Sequence, residues 1–152
     1  VAGNLITNLR QIMQQRQVEC RCIRCREAKD SGLVKNPKIN IQKYLASDGQ
    51  EYFISATDPS RKTLYGFCRL RLTPNSPIAP ALVRELHVYG ELVPTGQKKK
   101  VQHSGLGKKL LLTAENIAHQ QQADRIAIIS GIGVRGYYRK IGYRLKNGYM
   151  IK

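Results

Sequence analysis

Three groups of residues have the types and spacing to do chemistry. The first is Gln102-His103-Ser104-Gly105-Leu106-Gly107, which leads into an apolar-periodic stretch expected to be a helix. Glycines at such a junction let the backbone approach a ligand, and the free N–H groups of a first helical turn bind phosphate oxygens. Glycines also serve a plain tight turn, and the spacing is neither that of a Walker A loop nor that of a dinucleotide fold. The second group is the pair Tyr137-Tyr138. Packing of a short helix accounts for two such tyrosines, and a phenol of ordinary pKa about 10 can also serve as an acid. The third is Cys20-Arg21-Cys22-Ile23-Arg24-Cys25, whose thiolates suit a soft tetrahedral ion such as zinc. A fourth ligand is then needed from a histidine, from another domain, or from nowhere. Reduced structural or redox-labile thiols are the other reading.

The elements that must position these groups follow from periodicity. Leu5, Leu9, Ile12 and Met13 set a helix over residues 3–17, with polar turn material around 29–37 after it. Strands are expected at 39–46 and 50–56, joined by an Asp48-Gly49 turn, then at 63–72 and 81–89. The proline-rich stretch 73–80 must be a loop. Leu106, Leu110, Ala114, Ile117 and Ala118 form one stripe of a helix reaching about Gln121. An apolar strand at 125–130, a short helix at 134–141 and a hairpin about Asn147-Gly148 close the chain. The order implies a mixed α/β (α+β) domain. Cys68, on an alternating strand, reads as core.

Composition narrows the partner. The 152 residues hold 26 Lys+Arg and 10 Asp+Glu, a formal charge of +16, with 41% hydrophobic residues. A single core fits this length, and a disordered basic tail does not fit the hydrophobic fraction. No run spans a bilayer and no signal peptide opens the chain, so no membrane partner is expected and the location is read as cytoplasmic. The first residue is Val, which reads as a processed or excised segment. Lys98, Lys99 and Lys100 lie in an acid-free stretch, and residues 125–152 carry Arg135, Arg139 and Lys140 with no acid. These cations point to nucleic acid, against the alternative of a merely solvated face.

Gln-x-x-Gly-x-Gly, the helix, the apolar strand and then Tyr137-Tyr138-Arg-Lys-Ile-Gly142-Tyr143 resemble the GNAT acetyltransferases. The resemblance implies a mostly antiparallel sheet with a splayed strand pair. The loop 102–107 would bind the pyrophosphate of acetyl-coenzyme A, and the pantetheine arm would lie along Glu85, Leu86, His87 and Val88. Tyr138 would be the proton donor. Val83-Arg-Glu-Leu-His-Val-Tyr-Gly90, residues 126–133 and Cys22-Ile-Arg-Cys25-Arg-Glu27 extend the likeness to the Elongator catalytic-subunit family over nearly the whole chain. That resemblance implies a tRNA-modifying acyltransferase that places a carboxymethyl-type group on C5 of the wobble uridine, with tRNA-stimulated acetyl-coenzyme A hydrolysis. Its S-adenosylmethionine and iron–sulfur cluster belong to a radical domain whose C-x4-C-x2-C cysteines this chain lacks. Residues 1–38 would then be an interdomain linker with a zinc site, and residues 39–152 the acetyl-coenzyme A unit. Its partners would be tRNA, the radical domain, and other Elongator-type subunits or a second copy.

Strict alternation on 81–89 puts Val83, Glu85, His87 and Tyr89 on one face and Arg84, Leu86 and Val88 on the other. Glu85 or His87 can then act as a base or orient water, or the two can be a structural pair. Two other functions remain: a protein lysine acetyltransferase, which the positive charge opposes, and a non-enzymatic tRNA-binding module, which the intact Gln102, Gly105, Gly107 and Tyr138 oppose.

Overall fold

A computed structural model describes residues 5–28, 37–89 and 105–152. Apolar residues at alternate positions of the first long strands favour a one-sided sheet, and the hairpins set its register. β1 (Lys38–Ala46) pairs antiparallel with β2 (Gly49–Thr57), β2 with β3 (Leu64–Leu72), and β3 with β4 (Ala81–Val88). The first turn differs from expectation by one residue. Its left-handed positions are Ser47 and Asp48, with φ of 45° and 59°, and Gly49 already belongs to β2. A methyl group on Gly49 would lie 2.7 Å from the Arg71 guanidinium, so this glycine admits a side chain rather than making the turn.

After β4 the chain passes through residues outside the described set and enters α3 (Leu106–Gln120). The apolar stripe of α3 buries Leu110, Leu111, Ala114 and Ala118 against β2, β3 and β4. β5 (Ile126–Ile128) then runs parallel to β4, and a 3-10 turn (Ile132–Val134) leads into α4 (Arg135–Lys140). β6 (Arg144–Lys146) and β7 (Tyr149–Ile151) form the closing hairpin about Asn147 and Gly148, both at positive φ. The sheet order is β1-β2-β3-β4-β5-β7-β6, with β4–β5 its one parallel pair among the described residues. The expected mixed, mostly antiparallel sheet is therefore present. β5 is shorter than expected, its last paired residue being Ile128, with Ile129 beyond it 52% exposed.

The core lies between α3 and the sheet, with Ile54, Leu70, Val83, Leu110, Ile128, Tyr143 and Met150 all buried, and Cys68 among them as expected. Ahead of the sheet, α1 (Leu5–Gln15) and α2 (Ile23–Arg26) precede a bridge at Glu27–Leu64, where the Ala28 N–H donates to the Leu64 carbonyl at 2.8 Å. Among the described residues no helix is long and apolar enough to cross a membrane.

Candidate active site

The two neighbours of β4 set the site. Ala81, Leu82 and Val83 pair with Ile126, Ala127 and Ile128, and the Ile129 N–H makes a last bond to the Val83 carbonyl at 3.0 Å. From Arg84 to Val88 only β3 remains beside β4 among the described residues. The change coincides with a register shift: Leu70 faces Val83 and Arg69 faces Glu85, leaving Arg84 as the extra residue of a β-bulge. Bulges bend a strand and re-aim its side chains. Among the described residues this leaves an unpaired strand edge of β4 carrying Glu85, Leu86, His87 and Val88.

The N-terminus of α3 stands at the far end of that edge. Gly105 caps the helix at φ 100°, a left-handed conformation that favours glycine, and among the described residues no side chain caps the first turn. A methyl group on Gly107 would lie 3.4 Å from Val88, which brings the helix start against β4. Lys108 and Lys109 are exposed there, and the first turn holds no acid. Gln102, His103 and Ser104 lie outside the described residues, as do Lys98, Lys99 and Lys100.

The bulge overturns one sequence expectation. Strict alternation grouped Val83 with Glu85, His87 and Tyr89, but Val83 is fully buried in the core beside Leu70. Glu85 instead faces away from α3, with its carboxylate 3.4 Å from Arg69. Arg84 turns the same way, toward Glu51. His87 is also on that side, its ring stacked on Phe67 at 5.3 Å and 26°. The period-2 rule fails here because one added residue advances the pleat by half a cycle.

Tyr138 sits on the opposite, α3-facing side. It is 6% exposed, edge-on to Tyr143 at 5.9 Å and to Tyr137 at 5.2 Å. Burial, with smaller effects of Tyr137 and Cys68, pushes its phenol above the ordinary tyrosine value. The phenol is therefore neutral at neutral pH. Tyr137 is 42% exposed, and burial with the nearby Glu115 raises its phenol as well. Tyr143 donates to Glu115 at 2.7 Å, and Lys152 reaches the same oxygen at 3.1 Å. The structure thus keeps Tyr138 apart from Glu85 and His87, on opposite faces of the sheet.

One group escaped sequence reasoning. Glu51, 1% exposed, accepts from Arg71 at 3.0 Å and from Arg84 at 2.8 Å, both on Oε1. Its Oε2 is buried without a partner among the described residues. The available signal was an acid on the inner one of two hairpin strands, opposite Arg71 in register.

Cys20, Cys22 and Cys25 are exposed and bring their sulfur atoms within 4.8 Å of one another. A tetrahedral zinc with Zn–S near 2.3 Å wants sulfurs about 3.8 Å apart, so the cluster fits three ligands of such an ion with small adjustments. Hydrogen bonding from Cys20 and Cys25 lowers the Cys22 thiol, and the donor role toward Cys22 pushes Cys25 up to about 11. Among the other cation candidates, Arg139 and Lys140 are exposed at the last turn of α4. Arg135 is half-buried and donates to the Gly148 carbonyl at 3.4 Å.

No family model matches the chain. It is 43% identical over 167 residues to a tRNA uridine(34) acetyltransferase of Dehalococcoides mccartyi, covering 98% of this chain and 36% of that protein. Human Elongator complex protein 3 is 38% identical over 163 residues, covering 95% of this chain and 30% of that one. The solved structure of archaeal Methanocaldococcus infernus Elp3 with an N-terminal deletion superimposes with a TM-score of 0.81 at 36% identity, over 99% of this chain and 39% of that one. The chain spans about a third of the length of the relatives it matches.

Proposed function

Since the chain belongs, along nearly its whole length, to the family of Elongator catalytic subunits and tRNA uridine(34) acetyltransferases, we propose that it binds acetyl-coenzyme A between β4 and β5 and gives up the acetyl unit for modification of a wobble uridine. The observation that supports this reading is the parting of β4 from β5 after Val83, with the N-terminus of α3 against Val88 at the far end of the open edge. The free edge from Glu85 to Val88 offers backbone donors and acceptors to the amides of the pantetheine arm, which adds to the sheet like a short strand. Among the described residues the N–H groups of Leu106, Gly107 and Lys108 have no partner one turn back, and with Lys108 and Lys109 nearby they suit the pyrophosphate. Gln102, His103 and Ser104 complete that loop in the proposed site.

Tyr138 is the proton donor to the coenzyme A sulfur as the thioester breaks. Burial keeps its phenol neutral, the form that can donate. Tyr137, more exposed, borders it. Glu85 or His87, on the other face of the strand, orients the water or accepting group. Exposed Arg139 and Lys140, with Arg135 and Lys98–Lys100, supply contacts to tRNA phosphates, whose attraction falls as salt rises. A charge of +16 repels lysine-rich peptides and so disfavours a protein lysine acetyltransferase.

Residues 39–152 are the acetyl-coenzyme A unit in this reading, and 1–38 a linker in which Cys20, Cys22 and Cys25 hold zinc. Such an ion supplies a structural cross-link, with no part in the thioester step. The carboxymethyl-type product at uridine C5 requires carbon-centred chemistry from a radical S-adenosylmethionine domain of the same enzyme.

The test is release of coenzyme A from acetyl-coenzyme A by the protein, with and without tRNA. Turnover is expected to rise with tRNA, and Tyr138→Phe to lower it about a hundredfold or more, the usual worth of a general acid. Unchanged turnover in that variant would remove Tyr138 from the chemistry.

A further inference from the structure

Glu51 is the one charged side chain among the described residues that is buried, and nothing in the proposed reaction uses it. Taking a carboxylate out of water costs several kcal/mol unless close cations and hydrogen bonds offset it. Here two arginines converge on Oε1 from different strands. Their own anchoring is unequal.

Arg71 is fixed independently of Glu51. It bonds the Ala46 carbonyl at 3.0 Å, the Thr73 hydroxyl at 3.1 Å and the Ser47 carbonyl, so it is locked to the β1–β2 turn through the space that Gly49 leaves open. Arg84 is different. Among the described residues, the Glu51 carboxylate at 2.8 Å is its one side-chain hydrogen-bond partner. Arg84 is also the residue by which β4 exceeds β3, at the step where β4 loses β5. Glu51 therefore joins a rigid corner of the sheet, across β3, to the added residue of the bulge.

This matters because an added residue can sit at more than one step along a strand. Moving it by one position toward Val88 would turn Glu85 toward the core and shift each side chain between the old and new bulge to the other face. The strand edge and the exit point from β5 would move with it. A charged tether on the added residue selects one position. We propose that Glu51 is a positioning residue: through Arg84 it fixes the bulge in β4, and thereby the width and register of the opening that receives the acyl arm of acetyl-coenzyme A. This inference rests on the reading of that opening as the acetyl-coenzyme A site.

The experiment compares Glu51→Gln, Arg84→Met and the double variant with the parent protein. It measures by calorimetry, in the presence of tRNA, the affinity for a non-hydrolysable acetyl-coenzyme A analogue, and amide hydrogen exchange along β4 without ligand. Each single variant is expected to weaken binding of the analogue by about ten- to a hundredfold, the scale of small misplacements in a binding site. The double variant should be no worse than the weaker single one, since both break one connection. Exchange should quicken at residues 85–88 and stay unchanged at 81–83. Met150→Ala, in the core on β7, serves as a control for lost stability and should leave exchange at 85–88 in step with the rest of the sheet.

Affinity and exchange like the parent's in Arg84→Met would overturn the proposal. So would a loss confined to Glu51→Gln, which would make the carboxylate a matter of core stability alone. If the parent protein itself fails to bind the analogue, the functional reading falls. Quickened exchange at 85–88 in both variants would still support the tether, and unchanged exchange would reject it.

Discussion

From Ala81 to Val83, β4 has a hydrogen-bonded strand on each side and buries Ala81 and Val83 completely, whereas from Arg84 to Val88 it has β3 alone among the described residues and leaves Val88 40% exposed. In the proposed reading one strand thus serves as scaffold in its first half and as site in its second. The switch needs no change of fold, only a residue more than the facing strand holds. Its cost is met locally, by a buried carboxylate that holds the added arginine. Departures from the regular pattern of a strand are where function is expected.

The contrast can be broken first from the scaffold side. Ile128 is 1% exposed and faces Val83 in the parallel pair. Ile128→Ala should cost about 2–5 kcal/mol in urea unfolding, the usual price of emptying a core isoleucine. The affinity of the molecules still folded should be unchanged. Lost affinity at unchanged stability would mean that the first half of β4 belongs to the site.

A second test asks whether the floor beneath the open half is dry. Cys68 faces Leu86 across β3 and β4, and burial pushes its thiol from about 9.0 up to about 12. The folded value lies above the unfolded one, so this stabilisation is fully present below about pH 9 and is lost as pH rises toward 12. Tyr143, raised by burial and its bond to Glu115, adds loss of the same sign above its ordinary value near 10. Cys68→Ala should therefore flatten the decline in stability between pH 9 and 10. An unaltered slope would show water reaching the core side of the open half.

The smallest expected effect lies on the other face. Glu85 and Arg69 form a partly exposed pair at 3.4 Å, with side chains 41% and 30% accessible. Such pairs are worth about 0–1 kcal/mol. Glu85→Gln should barely move the thermal midpoint, so any drop in coenzyme A release would report on chemistry. A large loss of stability would make Glu85 part of the scaffold.

Much of this was legible in the residues. Periodicity and turn chemistry gave every long strand and α3, because alternation and the 3.6-residue stripe record which face is buried. The helix start at Gly105-Leu106-Gly107 was legible because a glycine fits the left-handed cap, whereas the role proposed for Tyr138 rests on the family resemblance. The bulge was not, since Arg84 reads as one more member of an alternating strand until the facing register is known. For the same reason Val83 was assigned to the wrong face and Glu51 passed unnoticed. The turn at Ser47-Asp48 was misread by one residue because Gly49 answers to Arg71, a partner 22 positions away in sequence that no local pattern reveals.

The most direct measurement is the change in amide hydrogen exchange when acetyl-coenzyme A is added in the presence of tRNA. Slower exchange is predicted at residues 84–88 and 105–109, with residues 81–83 unaffected because their ladder is already complete. Coenzyme A release proceeding with no protection at 84–88 would contradict the assignment of the site to the open half of β4.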